Sequence, residues 1–190
     1  MQLLEERIRR DGQIRPGGIL KVDSFLNHQI DTALLFEMAK ELHRLFGDAG
    51  VNKILTIEAS GIALASLTAY LFSAPLVFAK KSKSRNISDE VYAVEVPSFT
   101  HSNTNTVVVS REYLHAGDRV LLIDDFLATG AALVGLKALV EMAGGTVVGA
   151  GIAVEKAFQG GGDKLRAEGM RIESLARIAS MTDEGEITFC

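Results

Sequence analysis

The chain has 190 residues, of which 47% are hydrophobic and 23% charged, and its formal net charge is −4. This composition suits one folded domain and excludes a disordered chain. The net negative charge gives no sign of general nucleic-acid binding. A single cysteine, Cys190, excludes a disulfide framework and a zinc cluster and is consistent with a reducing compartment.

The N-terminal residues 1–10 are charged and amphipathic, and they lack the apolar stretch of a signal peptide. No apolar run along the chain approaches the length needed to cross a bilayer. We therefore expect a cytoplasmic protein that does not bind membranes.

Helix and strand patterns alternate along the first half of the chain. Residues 53–57 predict a strand, residues 61–72 a helix and residues 75–79 a second strand. Before them, Asp31 is the predicted cap of a helix that ends near Gly47. The predicted buried face of that helix has period 3.6 and consists of Leu34, Leu35, Met38, Leu42 and Leu45.

The character of the sequence changes over residues 81–106. Residues 91–96 alternate like an exposed strand, and residues 106–110 resemble its partner, which predicts a hairpin. A basic run at 80–85 and a polar turn at 101–105 flank the two strands. We expect this region to be a mobile loop and hairpin.

The second half again alternates, with predicted strands at 119–124, 146–154 and 171–178 and predicted helices at 130–143 and 156–168. Such alternation indicates the α/β class, with a mostly parallel sheet covered on both faces. Ligands bind beyond the carboxyl ends of the strands in these sheets. Four polar residues fall at such predicted ends: Glu58, Lys80, Asp124 and Lys156.

The stretch from Val120 to Gly130 is the most informative. An apolar strand ends in Asp124 and Asp125, and a loop of small residues then opens a helix. Backbone N–H groups at such a helix start bind phosphate. The two carboxylates would repel an anion unless the ligand also offers hydroxyls or brings a divalent cation. A ribose phosphate meets both conditions; the alternative is an acidic strand end before a helix capped by Thr129.

This stretch resembles the motif with which type I phosphoribosyltransferases bind phosphoribosyl pyrophosphate. The resemblance implies one domain with a mostly parallel sheet, flanking helices and a small hood built from residues 1–30 and the C-terminal end. Asp124 and Asp125 would be catalytic, holding the ribose hydroxyls near the developing sugar cation. The residues implied to cradle the 5′-phosphate are Ala128, Thr129, Gly130, Ala131 and Ala132.

The resemblance also implies a diphosphate loop at residues 56–62, with Ser60 and Gly61 as binding residues. Ser60 could equally be a plain helix cap, and Glu58 a carboxylate bonded to loop amides. Lys81, or its neighbour Lys80, would close over the diphosphate, the alternative being a solvated loop. Magnesium is implied as an ion carried by the substrate without dedicated protein ligands, and a homodimer is implied as the assembly.

Segments 19–31, 154–159 and 172–178 resemble the xanthine-specific bacterial members of this family, enzymes of purine salvage. The resemblance implies that Leu20, Asn27 and Lys156 contact xanthine. An asparagine donor and a lysine ammonium favour the carbonyl at C2 of xanthine over the amino group of guanine, and the ammonium also suits a xanthine anion. Phe126 would stack on the purine or lie in the core.

Two positions depart from related enzymes. Ala128 stands where enzymes for hypoxanthine and guanine usually carry an aspartate, so positioning, magnesium and an anionic base would have to replace that carboxylate. Thr129 stands where an asparagine is expected and resembles the loop of adenine enzymes. Adenine or guanine specificity therefore stays open, as does a non-catalytic, purine-sensing regulator of the same fold.

Overall fold

The computed structural model describes residues 1–81, 90–97 and 104–190. The N-terminal segment forms helix α1 (Gln2–Asp11), the short antiparallel strands β1 (Gln13–Arg15) and β2 (Ile19–Lys21), and a π-helical turn at Asp23–Asn27. None of the helices in the described part of the chain is long and apolar enough to cross a membrane.

The central elements follow in the predicted order. They are α2 (Thr32–Phe46), β3 (Lys53–Ile57), α3 (Gly61–Phe72), β4 (Leu76–Ala79), β5 (Val91–Pro97), β6 (Thr104–Ser110), β7 (Arg119–Leu127), α4 (Ala131–Met142), β8 (Thr146–Lys156), α5 (Gly161–Ala167), β9 (Ile172–Met181) and β10 (Ile187–Phe189). Asp31 caps α2 as predicted, since its carboxylate accepts a hydrogen bond from the Leu34 amide at 3.1 Å.

Within the described residues, six strands form one sheet in the order β10-β9-β8-β7-β3-β4. All neighbouring pairs are parallel except β10, which lies antiparallel at the edge beside β9. The predicted α/β fold class is confirmed. The strands β3 and β7 are buried on both faces, as parallel strands between helical layers should be.

Two apolar clusters lie on opposite faces of this sheet. One joins α1, α2, α3 and the N-terminal segment, with Phe25 and Phe46 fully buried. The other joins α4, α5 and the β5–β6 hairpin. The predicted hairpin is present, and its described strands pack closely on α4, because a Cβ on Gly135 would collide with Val96. Residues 82–89 and 98–103, which include Lys83, Arg85 and the first three residues of the predicted polar turn, lie outside the described residues. The last two residues of that predicted turn, Thr104 and Asn105, are instead the start of β6, since both pair with β5.

Helix α1 at the N-terminus contacts the two C-terminal strands, β9 and β10. The Met1 amino group donates a hydrogen bond to the Leu175 carbonyl, and the Arg9 guanidinium lies 4.5 Å from the centre of the Phe189 ring. The hood boundary stays a prediction, but these contacts bring the two segments proposed for it side by side.

Candidate active site

A cavity of about 420 Å³ opens at the carboxyl ends of the parallel strands. Every predicted site residue except Gly61 lines it. These lining residues are Leu20, Asn27, Ser60, Lys81, Asp124, Asp125, Phe126, Ala128, Thr129, Gly130, Ala131, Ala132 and Lys156. Residues distant in sequence therefore share one site.

The predicted phosphate loop (Ala128–Ala132) includes the residues just before α4 and the first two residues of that helix. Gly130 occupies the N-cap position with φ at 86°, in the left-handed region, and no side-chain hydrogen bond caps the helix. Thr129 is exposed and is not the cap, contrary to the alternative interpretation of the sequence. The start of this helix, which lacks a side-chain cap, lines the cavity with small residues, an arrangement suited to an anion.

The acidic pair lies inside a strand, which corrects the sequence prediction. The strand was expected to end at residue 124, but β7 continues to Leu127 because β8 pairs with it along its whole length. Asp124 is 5% exposed and Asp125 is 8% exposed. Burial first, and then the neighbouring charge of Asp125, raise the pKa of Asp124 well above its usual range. A cation or a hydroxyl donor that enters the cavity would favour the ionised form of this carboxyl group.

The loop after β3 packs against the acidic pair. The Glu58–Ala59 peptide bond is cis, and the Glu58 carboxylate accepts a hydrogen bond from the Lys81 amide at 2.6 Å. Ser60 makes no capping hydrogen bond, so its hydroxyl is not used as a plain helix cap. Gly61 lies directly behind Asp124: a Cβ there would collide with the Thr56 hydroxyl and lie 3.3 Å from the Asp124 carboxylate.

The two candidate loop lysines point to different places. Lys81 lines the cavity, whereas Lys80 pairs with Val108 through its backbone and lines a separate groove between β4 and β6. Of these two, Lys81 is therefore the one placed to approach a bound diphosphate.

Lys156 closes the opposite side of the cavity, and its position corrects a second boundary. The predicted helix at 156–168 does not begin there, because β8 extends through Lys156 and is followed by a short 3₁₀ turn at Ala157–Gln159 and then α5. The side chain is buried. Its ammonium donates a hydrogen bond to the Gly18 carbonyl at 2.8 Å and lies 5.7 Å from the centre of the Phe126 ring.

The charge of Lys156 has little compensation. None of the ion pairs found among the described residues includes it. Burial lowers the pKa of this ammonium. An acceptor or an anion entering the cavity beside Phe126 would gain a desolvated cation, which is a strong partner for a carbonyl oxygen.

Leu20 and Asn27 complete this end of the cavity. Leu20 is buried on β2, and Asn27 is exposed at the end of the π-helical turn. Phe126 is half-buried and packs against the α2–α3 side of the core while also lining the cavity. It is therefore part of the core, and stacking of its exposed side on the purine stays a prediction.

Several lining residues were not predicted. They are Ile19, Ile57, Val96, Pro97, Asn105, Val107, Leu127 and Leu133. Glu58, which the sequence analysis places at a strand end, also lines the cavity. The hairpin residues had no signal in the sequence, because nothing local in an alternating strand shows that it folds back over α4.

A metal ion fits this site only in a limited way. No group of three or more metal-ligating side chains occurs within residues 1–81, 90–97 and 104–190. Asp124 and Asp125 supply two adjacent carboxylates, which suits a magnesium ion that arrives bound to a diphosphate and needs few protein ligands.

One cavity combines a helix start without a side-chain cap, an acidic pair and a buried lysine beside an aromatic ring, a combination suited to a phosphorylated sugar beside a flat, acceptor-rich ring. The chain belongs to the phosphoribosyltransferase family, since residues 21–169 match the phosphoribosyl transferase domain.

Close relatives carry one name. The xanthine phosphoribosyltransferase of Lachnoclostridium phytofermentans is 53% identical over 100% of this chain and 98% of that protein. The xanthine phosphoribosyltransferase of Lactobacillus delbrueckii subsp. bulgaricus is 52% identical over the full length of both proteins. The predicted resemblance to these enzymes is confirmed.

Solved structures support the fold. A Giardia lamblia adenine phosphoribosyltransferase complexed with 9-deazaadenine superposes with a TM-score of 0.79 at 22% identity, covering 92% of this chain and 97% of that one. At this identity the likeness establishes the fold and leaves the base to be decided by the site.

Proposed function

We propose that the protein transfers the phosphoribosyl group of phosphoribosyl pyrophosphate to xanthine, giving xanthosine 5′-monophosphate and diphosphate. One observation carries the proposal: the phosphate loop, the acidic pair and Lys156 line the same cavity. The names of relatives about half identical over the whole chain support the choice of base.

The base end of the cavity suits xanthine in particular. A buried ammonium stabilises a carbonyl oxygen or a ring anion, and xanthine offers both, whereas adenine offers neither at C2. An amino group presented to Lys156 would leave both partners without an acceptor, at a cost in a buried site. Asn27 adds an amide that can meet the polar edge of the ring, while Leu20 and Phe126 supply apolar walls.

The ribose phosphate end suits the other substrate. The amides of Ala128–Ala132 would bind the 5′-phosphate, and Asp124 and Asp125 would accept hydrogen bonds from the ribose hydroxyls. Ser60, Gly61 and Lys81 belong to the segments that would bind the diphosphate. A magnesium ion carried by the substrate would neutralise charge on the leaving diphosphate.

The reaction then needs little proton transfer from the protein. Nitrogen N9 of the base attacks C1 of the ribose as the bond to diphosphate breaks, and positive charge develops on the sugar. The carboxylates of Asp124 and Asp125 would stabilise that charge, and binding in one shared cavity would align the two substrates. Ala128 offers no carboxylate to act as a base, so an already ionised xanthine suits this site.

A homodimer and a cytoplasmic location complete the proposal as expectations from the family resemblance. Sedimentation equilibrium of the purified chain tests the first. The proposed reaction is tested by following the formation of xanthosine monophosphate from xanthine, phosphoribosyl pyrophosphate and magnesium. Formation of adenosine monophosphate in preference, or tight binding without any turnover, would replace this proposal by the adenine enzyme or by the regulator.

A further inference from the structure

A buried ionic cluster lies on the face of the sheet opposite Lys156. Glu155, the preceding residue on β8, is completely buried and points to the α5 side, because successive side chains of a strand face opposite ways. Arg166 donates to both of its oxygens, at 2.8 Å and 2.6 Å, and the Ser174 hydroxyl donates at 2.5 Å. Arg177, its partner across β9, lies 3.2 Å away.

This carboxylate is held in one position. A two-pronged arginine contact fixes its plane, and the hydroxyl of Ser174 uses a further lone pair. Burial opposes ionisation of Glu155, but the hydrogen bonds and charges of its partners outweigh burial and lower its pKa. Glu155 is therefore an ordered anion directly behind the residue that faces the base pocket.

The same cluster reaches the phosphate loop through α5. A Cβ on Gly162 would collide with the Glu155 carboxylate and lie 2.8 Å from the Arg166 guanidinium. A Cβ on Gly161 would collide with the backbone of Ala128 and Thr129. Adjacent residues of α5 thus contact the buried glutamate on one side and the phosphate loop on the other.

Only a short stretch of chain separates Lys156 from the start of α5. β8 ends at Lys156, the 3₁₀ turn occupies Ala157–Gln159, and Gly161 begins α5 against the phosphate loop. Leu165 of α5 also packs on Gly130, since a Cβ added to Gly130 would lie 2.8 Å from a methyl group of Leu165. The base pocket and the phosphate cradle are consequently two ends of one connected segment, and Glu155 anchors it.

We propose that Glu155 is a positioning residue. Through Arg166 and α5, it fixes the position of Lys156, at the end of β8, relative to the phosphate loop. This rests on the proposed function of the cavity. Misplacement of a substrate-binding group by a fraction of an ångström lowers the efficiency of a two-substrate reaction, so a loosened anchor affects both substrates at once.

The test compares Glu155→Gln with the wild type and with Asp118→Asn. Glutamine keeps the shape of the side chain but removes the negative charge that pairs with Arg166 and Arg177. Asp118 accepts a hydrogen bond from Lys53 at 2.7 Å and lies just before β7, at the amino end of the sheet, so its replacement controls for lost stability alone. Steady-state kinetics give the KM of each substrate, and thermal unfolding confirms that each variant is folded at the assay temperature.

We expect Glu155→Gln to raise the KM for xanthine and for phosphoribosyl pyrophosphate, each by about tenfold. Asp118→Asn should lower the melting temperature while leaving both KM values unchanged. A folded Glu155→Gln variant with unchanged KM values, or with only one KM raised, overturns the proposal. If Glu155→Gln does not fold, Ser174→Ala decides, because it removes a single hydrogen bond to Glu155 and should raise both KM values less strongly.

The wild type separates this inference from the proposed function. Absence of xanthine turnover by the wild type would contradict the proposed function. The anchor would then be tested by calorimetric titration with phosphoribosyl pyrophosphate and magnesium, where Glu155→Gln should bind more weakly than the wild type. Equal affinity would overturn the inference.

Discussion

The ammonium of Lys156 lies 5.7 Å from the centre of the Phe126 ring, across the adjacent strands β8 and β7. Both side chains are on the face of the sheet opposite α5, and both line the cavity. The ring shields the cation from water on one side, while the only hydrogen bond from the ammonium among the described residues goes to the Gly18 carbonyl, at 2.8 Å. This pair combines a flat apolar wall with a desolvated donor.

Replacing Lys156 by methionine should separate base recognition from phosphoribosyl binding. We expect kcat/KM for xanthine to fall about 100-fold, since a charged hydrogen bond in a desolvated pocket is lost, while the KM for phosphoribosyl pyrophosphate changes little. Lys40→Met, at an exposed lysine of α2, is the matched control. Equal losses for xanthine and guanine would show that Lys156 does not select the base.

The lowered pKa of Lys156 predicts an early basic limb in the pH profile. The ammonium is present below that pKa and is lost as the pH rises through it. As the pH rises, kcat/KM for xanthine should therefore begin to fall at a lower pH than the pKa of an unperturbed lysine would predict. Ionisation of xanthine affects wild type and Lys156→Met alike, so the limb that disappears in the variant belongs to Lys156. A limb that persists in the variant would assign it to another group.

The raised pKa of Asp124 predicts proton release on substrate binding. Ribose hydroxyls and a substrate-bound cation favour the ionised carboxylate, so binding lowers the pKa and affinity should increase as the pH rises through it. Calorimetric titration of phosphoribosyl pyrophosphate with magnesium in buffers of different ionisation enthalpy measures the released protons. Asp124→Asn should abolish this release, and an unchanged release in that variant would contradict the assignment.

Gly61 should be sensitive to a single added methyl group. In Gly61→Ala the new Cβ collides with the Thr56 hydroxyl and crowds the Asp124 carboxylate, so we expect kcat/KM for phosphoribosyl pyrophosphate to fall at least about tenfold. Gly47→Ala, at the exposed end of α2, adds the same methyl group away from the cavity. Full activity of Gly61→Ala would mean that the loop can move away from Asp124 without consequence.

The Glu155 cluster also predicts a pH-dependent contribution to stability. A carboxylate whose pKa is lowered in the folded state stabilises it above the unfolded pKa of about 4.3 and loses that contribution as the pH falls through the folded value. Wild type and Glu155→Gln should differ by about 3 kcal/mol in the free energy of unfolding near neutral pH. Urea unfolding at a series of pH values should show this difference shrinking below about pH 4.

Much of the site could be predicted because its chemistry is local in sequence. A strand, an acidic pair, small residues and a helix follow one another between residues 120 and 142, and the structure keeps that order. The sequence also predicts Lys156 as a site residue, although it places this lysine at the start of a helix. The β7 boundary was misplaced because carboxylates normally end a buried strand, and here Asp124 and Asp125 remain buried.

The rest depends on contacts that no local pattern records. Glu155 looks like a surface residue until Arg166, Ser174 and Arg177 are seen around it, and each of those partners lies at least 11 residues away. The start of α5 was misplaced because the glycines at 160–162 are needed for close packing against the phosphate loop and Glu155, which the helical pattern cannot reveal. Val96 and Val107 enter the cavity only because the hairpin folds over α4.

The central claim is that one cavity aligns xanthine with phosphoribosyl pyrophosphate. Its most direct test is steady-state turnover with phosphoribosyl pyrophosphate and magnesium, offering xanthine, guanine, hypoxanthine and adenine separately at one pH. The account predicts the highest kcat/KM for xanthine, and a preference that Lys156→Met removes. A higher kcat/KM for adenine or guanine, or no turnover of any base, would contradict it.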